Sequence, residues 1–333
     1  MDEVMWAAVV EHHGGPDNLT YRQIARPKPG PGEVLLRVRY CGLNALDFFV
    51  RRGVPGIHVS LPHISGGDVV GEVVAAQCTP GDAPSGLYLV DPLIEGAALG
   101  EKRPGGMAEY VAVPRASLIG LPVNDPHPER YAALPIAYGT AHRMLFTRAR
   151  LAAGETVAIL GAAGGVGVAC VQLAHRVGAR VIACSSSATK LRRLQQLGAD
   201  EVIDTSKVEF SAEIWRLTGR RGADVVVDYI GKDTLAGSVR ATKAGGRIAT
   251  CGASSGAQAM IDLRYVWVRE IDLIGSDGWR RADLDALVGM VGQGELNPVI
   301  DSTYPLERAR EAVAVLEERR CLGKVLLAVG ADS

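Results

Sequence analysis

Residues Glu155–Lys190 read ETVAILGAAGGVGVACVQLAHRVGARVIACSSSATK, and this stretch decides the fold. Thr156–Leu160 is a short apolar run with β-branched residues, which is typical of a strand buried on both faces of a parallel sheet. Four glycines follow within seven residues, and apolar residues then recur at helical spacing until Gly178. Val181–Cys184 is the next apolar run. The stretch therefore predicts a strand, a glycine turn, a helix and a second strand.

The glycines after the first strand meet the requirements of a phosphate-binding turn. A chain that passes directly from a strand into a helix needs unusual backbone angles and a close approach to the ligand, and glycine permits both. The helix N-terminus then offers unpaired N–H groups and a partial positive charge to a pyrophosphate. The spacing G-x-x-G-x-x-G is one residue longer than the common G-x-G-x-x-G fingerprint. The predicted dinucleotide contacts are Gly161, Ala163, Gly164, Gly165, Val166 and Gly167.

The end of the second strand indicates which dinucleotide is bound. NAD sites usually carry an acid about 20 residues past the first glycine, where it binds the ribose 2′-hydroxyl. This chain has Ser185 and Ser186 at that place, followed by Lys190, and no carboxylate. Hydroxyl groups and a cation suit a 2′-phosphate, so we predict NADP(H) rather than NAD(H). The alternative is that Lys190 belongs to the solvated face of a helix.

Composition and charge exclude several classes of partner. The chain has 333 residues, enough for about two domains, and a net charge of −1, which predicts no nucleic-acid partner. No apolar run approaches the roughly 20 residues of a membrane helix, so no membrane is expected. The six cysteines form no C-x-x-C pair, which argues against a four-cysteine zinc lobe. We therefore expect a cytoplasmic protein that acts on a small molecule.

The rest of the chain predicts two kinds of structure. Residues 1–125 contain short strand-like runs between glycine- and proline-rich turns, which indicates a β-rich domain. After Lys190, strands and helices alternate, with strands at Glu201–Asp204 and Asp224–Tyr229 and a helix at Phe210–Leu217 between them. Such alternation predicts a doubly wound parallel sheet, and hence the α/β fold class.

Further blocks of sequence carry a resemblance to a known family. In chain order they are PGPGEVLLRVRYCGLNALD (29–47), GGDVVGEVV (66–74), GGMAEYVAVP (105–114), LPIAYGTA (134–141), ILGAAGGVG (159–167), GADEVID (198–204) and LGKVLL (322–327). Over about residues 6–329 the chain resembles the medium-chain dehydrogenase/reductase superfamily of alcohol dehydrogenases and quinone oxidoreductases. The resemblance implies a Rossmann dinucleotide-binding domain at residues 138–275. It also implies a GroES-like catalytic domain, formed by residues 1–137 and 276–333, into which the Rossmann domain is inserted.

Zinc-dependent members of this superfamily hold a catalytic zinc with cysteine and histidine side chains. Aligned by the motifs, the ligand positions carry Asn44, Gly67 and Ile136 here, and these residues cannot hold Zn²⁺ tetrahedrally. The proton-relay positions carry Leu46 and Phe49. The resemblance therefore implies a site without metal. An irregular metal site remains an alternative, and its candidate ligands are Cys41, Asp47, His63 and Asp68.

The metal-free branch of the superfamily implies the reaction. Hydride would pass to an electron-poor carbon of a hydrophobic conjugated carbonyl compound, such as a quinone, an enone or an aryl ketone. Asn44 is expected to donate a hydrogen bond to the substrate oxygen or to position the nicotinamide, together with Thr140. The alternative is that Asn44 only caps a local turn. Tyr138 and His142 flank Thr140 and are candidate proton donors, with water as the other possibility.

The resemblance also implies later cofactor contacts and an oligomer. Gly252, Ala253 and Ser254 match the loop that lines the nicotinamide ribose. Lys324 matches a basic position close to the cofactor, with a plain surface lysine as the alternative. A strand at Ile271–Ile274 stands where relatives pair edge strands, which implies a homodimer or homotetramer.

Two other functions are also compatible with the sequence. The sequence before the strand at Ala108–Val113 resembles the zinc-type branch with its lobe deleted, which would make the protein an alcohol dehydrogenase or ketone reductase of that lineage. The missing metal ligands and relay also fit a catalytically silent NADPH-binding or structural protein, because a fold can outlive its function.

Overall fold

The computed structural model describes residues 3–53, 58–76, 86–94 and 96–330. The chain divides into two compact units, a discontinuous unit (Met1–Ile136 with Leu284–Ser333) and a continuous unit (Ala137–Asp283). The sequence placed the second boundary after residue 275, whereas the continuous unit extends to Asp283. Asp283, the last residue of the continuous unit, is bonded to the same unit, because its Oδ1 lies 2.7 Å from His142 Nδ1.

The secondary structure alternates between the two kinds that the sequence predicts. The strands are β1 (Val4–Val10), β2 (Leu19–Ala25), β3 (Glu33–Gly42), β4 (Asp68–Ala76), β5 (Leu87–Val90), β6 (Leu93–Ile94), β7 (Ala97–Ala98), β8 (Tyr110–Pro114), β9 (Leu118–Gly120), β10 (Thr156–Ile159), β11 (Arg180–Ser185), β12 (Glu201–Asp204), β13 (Ala223–Val227), β14 (Thr242–Thr250), β15 (Asp272–Gly275), β16 (Ile300–Pro305) and β17 (Lys324–Ala328). The α-helices are α1 (Ala45–Arg52), α2 (Thr140–His142), α3 (Gly165–Arg176), α4 (Ala188–Gln196), α5 (Phe210–Leu217), α6 (Leu235–Ala241), α7 (Leu263–Arg269), α8 (Arg281–Gly292) and α9 (Ala309–Glu317). Shorter helical segments are the 3-10 turns Pro16–Asn18, Arg115–Ser117, Pro128–Ala133 and Leu306–Arg308, and the π-helical stretches Leu134–Gly139 and Arg143–Arg148.

The continuous unit is built on a parallel sheet with the strand order β12-β11-β10-β13-β14-β15. The helices α3 to α7 each connect one strand to the next along the chain. The strand order reverses between β10 and β13, which are hydrogen-bonded neighbours with Val157 opposite Val225. The strands are lined with buried aliphatic side chains because a parallel sheet is covered on both faces. A ligand crevice is expected at this reversal, beyond the carboxyl ends of the two strands.

The discontinuous unit contains a larger, mainly antiparallel sheet with the order β16-β17-β3-β4-β5-β9, and β8 also pairs with β3. Strand β3 leads directly to Asn44 and helix α1. On one side of β3, Gly42 pairs with Asp68 of β4. On the other side, Leu326 of β17 pairs with the same glycine. The sheet therefore brings the first residues of β4 and of β17 to the end of β3, where the chain continues to Asn44.

The fold class predicted from the sequence is confirmed: the continuous unit has a doubly wound parallel sheet, and the discontinuous unit is β-rich. Within the part of the chain that the structure describes, no helix has the length and apolar character needed to cross a membrane.

Candidate active site

The turn between β10 and α3 has the geometry that a phosphate group needs. Gly161 has a φ of +64°, a left-handed conformation that side chains rarely adopt. A Cβ atom on Gly167 would lie 2.5 Å from the Gly161 carbonyl oxygen and 2.6 Å from Ala162 Cα, so glycine permits this close approach of helix and turn. The N-cap of α3 is Gly164, which has no side chain to bond the first-turn N–H groups. These groups suit an anion. The other predicted contacts of this turn are Ala163, Gly165 and Val166.

The place predicted for a 2′-phosphate lies at the carboxyl end of β11, the neighbour of β10. Ser185 is buried at the end of this strand, Ser186 is exposed, and Lys190 is partly exposed in the first turn of α4. The nearest carboxylate in the sheet register is Asp204 of β12. It accepts a hydrogen bond from Ser206 Oγ at 2.5 Å and pairs with a lysine. This end of the sheet thus carries hydroxyl groups, the N-terminus of α4 and Lys190, while the Asp204 carboxylate is paired with Lys207.

The sequence predicts Tyr229 at the end of a strand and indicates no role for it. Strand β13 ends at Val227, and the Tyr229 hydroxyl donates a hydrogen bond to the Gly161 carbonyl oxygen at 2.7 Å. The Tyr229 carbonyl oxygen accepts from the Ser254 N–H at 3.1 Å, which brings the predicted loop Gly252–Ser254 near the glycine turn. The sequence signal was only an aromatic residue after an apolar run.

Asn44 lies in a buried polar cluster of the discontinuous unit. Its Nδ2 donates to Asp68 Oδ2 at 2.9 Å, and its Oδ1 accepts from Lys324 Nζ at 2.6 Å. Lys324 Nζ also lies 2.9 Å from Asp68 Oδ2, in an ion pair whose side chains are 1% and 0% exposed. The interpretation of Lys324 as a plain surface lysine is therefore wrong, because its ammonium compensates a buried carboxylate.

Asp47 also belongs to this cluster, and its hydrogen bond with the Asn44 backbone fixes the start of helix α1. Asn44 is the N-cap of α1, and its backbone N–H donates to Asp47 Oδ2 at 2.7 Å. The Gly66 N–H donates to Asp47 Oδ1 at 2.9 Å. Burial raises the pKa of Asp47 to about 7, although the two N–H groups and Lys324 favour its charged form. Asn44 therefore both caps the helix and joins the ion-pair cluster through its amide.

The three positions aligned with zinc ligands lie near one another, but they do not fit a metal. A Cβ atom on Gly67 would lie 2.9 Å from Ile136 Cδ1, so an isoleucine methyl group fills the space beside Gly67. The Ile136 N–H donates to Asp68 Oδ1 at 2.9 Å, and the Asn44 amide is bonded to Lys324. Zinc sites need several thiolate, imidazole or carboxylate ligands, and these three positions provide one amide and two apolar residues.

The alternative irregular metal site is not assembled from the nearby polar side chains either. His63 Nε2 lies 3.0 Å from the Gly100 carbonyl oxygen. Burial raises the pKa of the Cys41 thiol well above its usual value, which keeps the sulfur neutral. The carboxylates of Asp47 and Asp68 already accept hydrogen bonds from backbone N–H groups, and Asp68 is also paired with Lys324. Apart from residues 1–2, 54–57, 77–85, 95 and 331–333, the chain contains no group of three or more His, Cys, Asp and Glu side chains placed to hold a metal ion.

The remaining predicted catalytic residues lie on the helical segment of the continuous unit. Thr140 begins α2, between two π-helical stretches, and is buried. Tyr138 is fully buried, and its hydroxyl donates to Gln172 Oε1 at 2.6 Å. This placement argues against Tyr138 as a proton donor, because a substrate has no access to the hydroxyl. His142 is bonded to Asp283, as described above.

Comparisons with known proteins decide the family. The model of the alcohol dehydrogenase GroES-like domain matches residues 30–123, and that of the zinc-binding dehydrogenase matches residues 165–293. A solved structure of an NAD-dependent alcohol dehydrogenase is 39% identical, with a TM-score of 0.92 over 98% of this chain and 100% of that chain. The chain belongs to the medium-chain dehydrogenase/reductase superfamily. This medium-chain dehydrogenase/reductase is thus an oxidoreductase of a family that binds nicotinamide cofactors.

Two curated relatives extend over almost the whole chain. Human quinone oxidoreductase is 29% identical, over 98% of each chain. Acryloyl-coenzyme A reductase of Metallosphaera sedula is 30% identical, over 97% of this chain and 99% of the relative. The name of the second family model implies zinc, but the residues at the ligand positions of this medium-chain dehydrogenase/reductase do not fit a catalytic zinc.

Proposed function

We propose that the protein is an NADP(H)-dependent, zinc-independent reductase of hydrophobic conjugated carbonyl compounds. The observation that carries the proposal is the filling of the zinc-ligand positions, where Ile136 occupies the space beside Gly67 and Lys324 holds Asn44. Without a Lewis acid, the substrate itself must spread the negative charge that develops during reduction. Quinones, enones and aryl ketones do so through conjugation. The names of the two curated relatives, quinone oxidoreductase and acryloyl-coenzyme A reductase, denote conjugated acceptors and support this class.

The proposed roles follow from the chemistry of the side chains. The nicotinamide, when bound, supplies the hydride. The glycine turn at Gly161–Gly167 binds the pyrophosphate with backbone N–H groups. Asn44 and Thr140 contact the nicotinamide or the substrate oxygen, and the bonds from Asn44 to Asp68 and Lys324 fix the orientation of its amide. Since Tyr138 is fully buried, the remaining candidates for the proton donor are water and His142, whose Nδ1 lies 2.7 Å from Asp283 Oδ1.

The reaction is tested with purified protein, NADPH and a panel of quinones, enones, aryl ketones, simple ketones and alcohols, together with metal analysis and a chelator. We expect NADPH oxidation with conjugated acceptors, no stoichiometric zinc and no loss of rate on chelation. Stoichiometric zinc with chelator-sensitive alcohol oxidation would instead identify an alcohol dehydrogenase of the zinc lineage. That function is the second candidate, since the 39% identical structure is an NAD-dependent alcohol dehydrogenase. Tight NADPH binding without turnover over the whole panel would identify a silent binding protein.

Cofactor choice is tested at Lys190. Lys190→Ala is expected to weaken NADPH binding about tenfold, the loss of one charge-assisted contact to the 2′-phosphate, and to leave NADH binding unchanged. The measurement is a fluorescence titration of both dinucleotides. Arg192→Ala is the matched control, because residues two apart on a helix face different directions, and Arg192 is exposed on the same helix. Preference of the wild type for NADH, or an equal effect of Lys190→Ala on both cofactors, would refute the NADP(H) assignment.

We also propose a homodimer formed through β15. This strand is the edge of the parallel sheet, and its Leu273 side chain is 52% exposed. Apolar side chains on the preceding segment are exposed as well, namely Met260, Leu263, Trp267 and Val268. An edge strand beside exposed apolar residues suits pairing with a second copy of the chain. Leu273→Glu is expected to reduce the mass in light scattering to that of one chain, whereas Val123→Glu, at another exposed position, should not. A single-chain mass for the wild type would contradict the proposal.

A further inference from the structure

Tyr229 lies where the strand order of the parallel sheet reverses. Strands β10 and β13 are neighbours, and the chain leaves both at their carboxyl ends. After β10 the chain forms the glycine turn, and after β13 it forms the segment that contains Tyr229. The Tyr229 side chain extends from the second segment to the first, where its hydroxyl donates a hydrogen bond to the Gly161 carbonyl oxygen at 2.7 Å. Dinucleotides bind at this place in doubly wound sheets.

The tyrosine touches several parts of the predicted cofactor site. A Cβ atom on Gly161 would lie 3.3 Å from the Tyr229 hydroxyl oxygen, and one on Gly164 would lie 3.7 Å from it. A Cβ atom on Gly252 would lie 3.8 Å from Tyr229 Cβ. The Ser254 N–H donates to the Tyr229 carbonyl oxygen. One side chain thus lies beside two glycines of the turn, Gly161 and Gly164, and beside the predicted ribose loop.

The backbone next to Tyr229 is held in place by the preceding residue, Asp228, whose carboxylate accepts four hydrogen bonds. The Asp228 carboxylate is buried and accepts from the N–H groups of Ile230 and Gly231 at 3.0 and 3.1 Å. It also accepts from Thr234 Oγ1 at 2.8 Å and from Ser238 Oγ at 2.6 Å. Burial raises the pKa of the Tyr229 hydroxyl well above its usual value, so the group stays protonated and remains a donor.

We propose that Tyr229 is a cofactor-positioning residue, whose hydroxyl holds the Gly161–Gly164 turn in the form that accepts the pyrophosphate. The Gly161 carbonyl oxygen accepts both the Gly164 N–H at 3.0 Å and the tyrosine hydroxyl, which together fix the direction of this peptide. The inference rests on the proposed dinucleotide site and adds a residue to it. Loss of the hydroxyl frees the turn without creating a large cavity.

The test compares Tyr229→Phe with the wild type on ligands that contain or lack the pyrophosphate. We expect the dissociation constants of NADPH and 2′-phospho-ADP-ribose to rise about 5- to 10-fold, as for one lost hydrogen bond. The dissociation constant of adenosine 2′-monophosphate, which has no pyrophosphate, should stay unchanged. The KM for NADPH should rise with little change in kcat, because the bond acts in the ground state and the transition state alike. The melting temperature is measured alongside to show that the variant is folded.

Tyr265→Phe is the matched control, since Tyr265 belongs to the same unit and its ring contacts Arg269. It should bind all three ligands like the wild type. Equal or tighter binding of 2′-phospho-ADP-ribose by Tyr229→Phe would overturn the inference, and so would an equal loss for adenosine 2′-monophosphate. If the wild type binds none of the ligands and neither NADH nor ADP-ribose, the proposed function fails instead. The two failures are therefore distinguishable.

Discussion

Replacing Lys324 by methionine is expected to lower the free energy of unfolding by about 3–5 kcal/mol, because it leaves a buried carboxylate without its cation. Lys324 and Asp68 are 1% and 0% exposed, so water cannot replace the lost ammonium. Asn44 Oδ1 loses its donor at the same time. The measurement is urea unfolding of the whole chain, monitored by a spectroscopic signal that reports on the discontinuous unit.

Two further variants show whether the buried charge causes the loss. Lys324→Met combined with Asp68→Asn should recover a large part of the stability, because position 68 then carries no unpaired charge and the new amide oxygen can still accept from the Ile136 N–H. Lys102→Met, which removes an exposed lysine of the same unit, should change the unfolding free energy by less than about 0.5 kcal/mol. A Lys324→Met variant as stable as the wild type would show that the ion pair does not compensate Asp68.

Gly167→Ala is expected to weaken dinucleotide binding roughly 100-fold, which corresponds to the loss of about two backbone hydrogen bonds to the pyrophosphate. The added methyl group would lie 2.5 Å from the Gly161 carbonyl oxygen and 2.6 to 2.7 Å from the Ala162 backbone. Backbone atoms cannot rotate away as a side chain can, so α3 must move from the turn and open the phosphate cradle. Calorimetric titration with NADPH and NADH measures the effect on both cofactors.

Gly289→Ala is the matched control for this substitution. Gly289 also lies within a helix, α8, and a Cβ atom there would meet nothing within 4 Å. The change should leave cofactor affinity unaltered and stabilise the protein by up to about 1 kcal/mol, as expected for alanine at a helical glycine. If Gly167→Ala bound NADPH as tightly as Gly289→Ala, the glycine turn would not be the pyrophosphate site.

Local sequence patterns predicted an element well where one hydrophobic periodicity, that of a strand or that of a helix, runs through the whole element. The predicted bounds of β12 and α5, Glu201–Asp204 and Phe210–Leu217, are those of the structure. The prediction was less accurate at the strand assigned to Asp224–Tyr229, which ends at Val227. An aromatic residue after a run of valines has strand propensity, but the Tyr229 hydroxyl bonds to Gly161, 68 residues earlier, and the chain leaves the strand to reach it.

In the candidate site, too, the sequence predicted features that depend on neighbouring residues and missed contacts between residues far apart in the chain. The glycine turn, the hydroxyl groups after β11 and the lack of zinc ligands at the aligned positions could be read from residue types alone. The sequence did not indicate that Lys324 would be buried, because its partner Asn44 lies 280 residues away along the chain. Only the pairing of β17 and β4 on either side of β3 brings the two together with Asp68.

The sequence by itself determined the α/β fold class, the glycine turn before α3 and the residue types at the positions aligned with metal ligands. The tertiary structure alone decided that Ile136 fills the space beside Gly67, that Lys324 neutralises Asp68 and that Tyr229 reaches Gly161. The physical reason is that backbone periodicity depends on neighbours in the chain. Burial and pairing of a side chain depend on which strands lie side by side in the sheet.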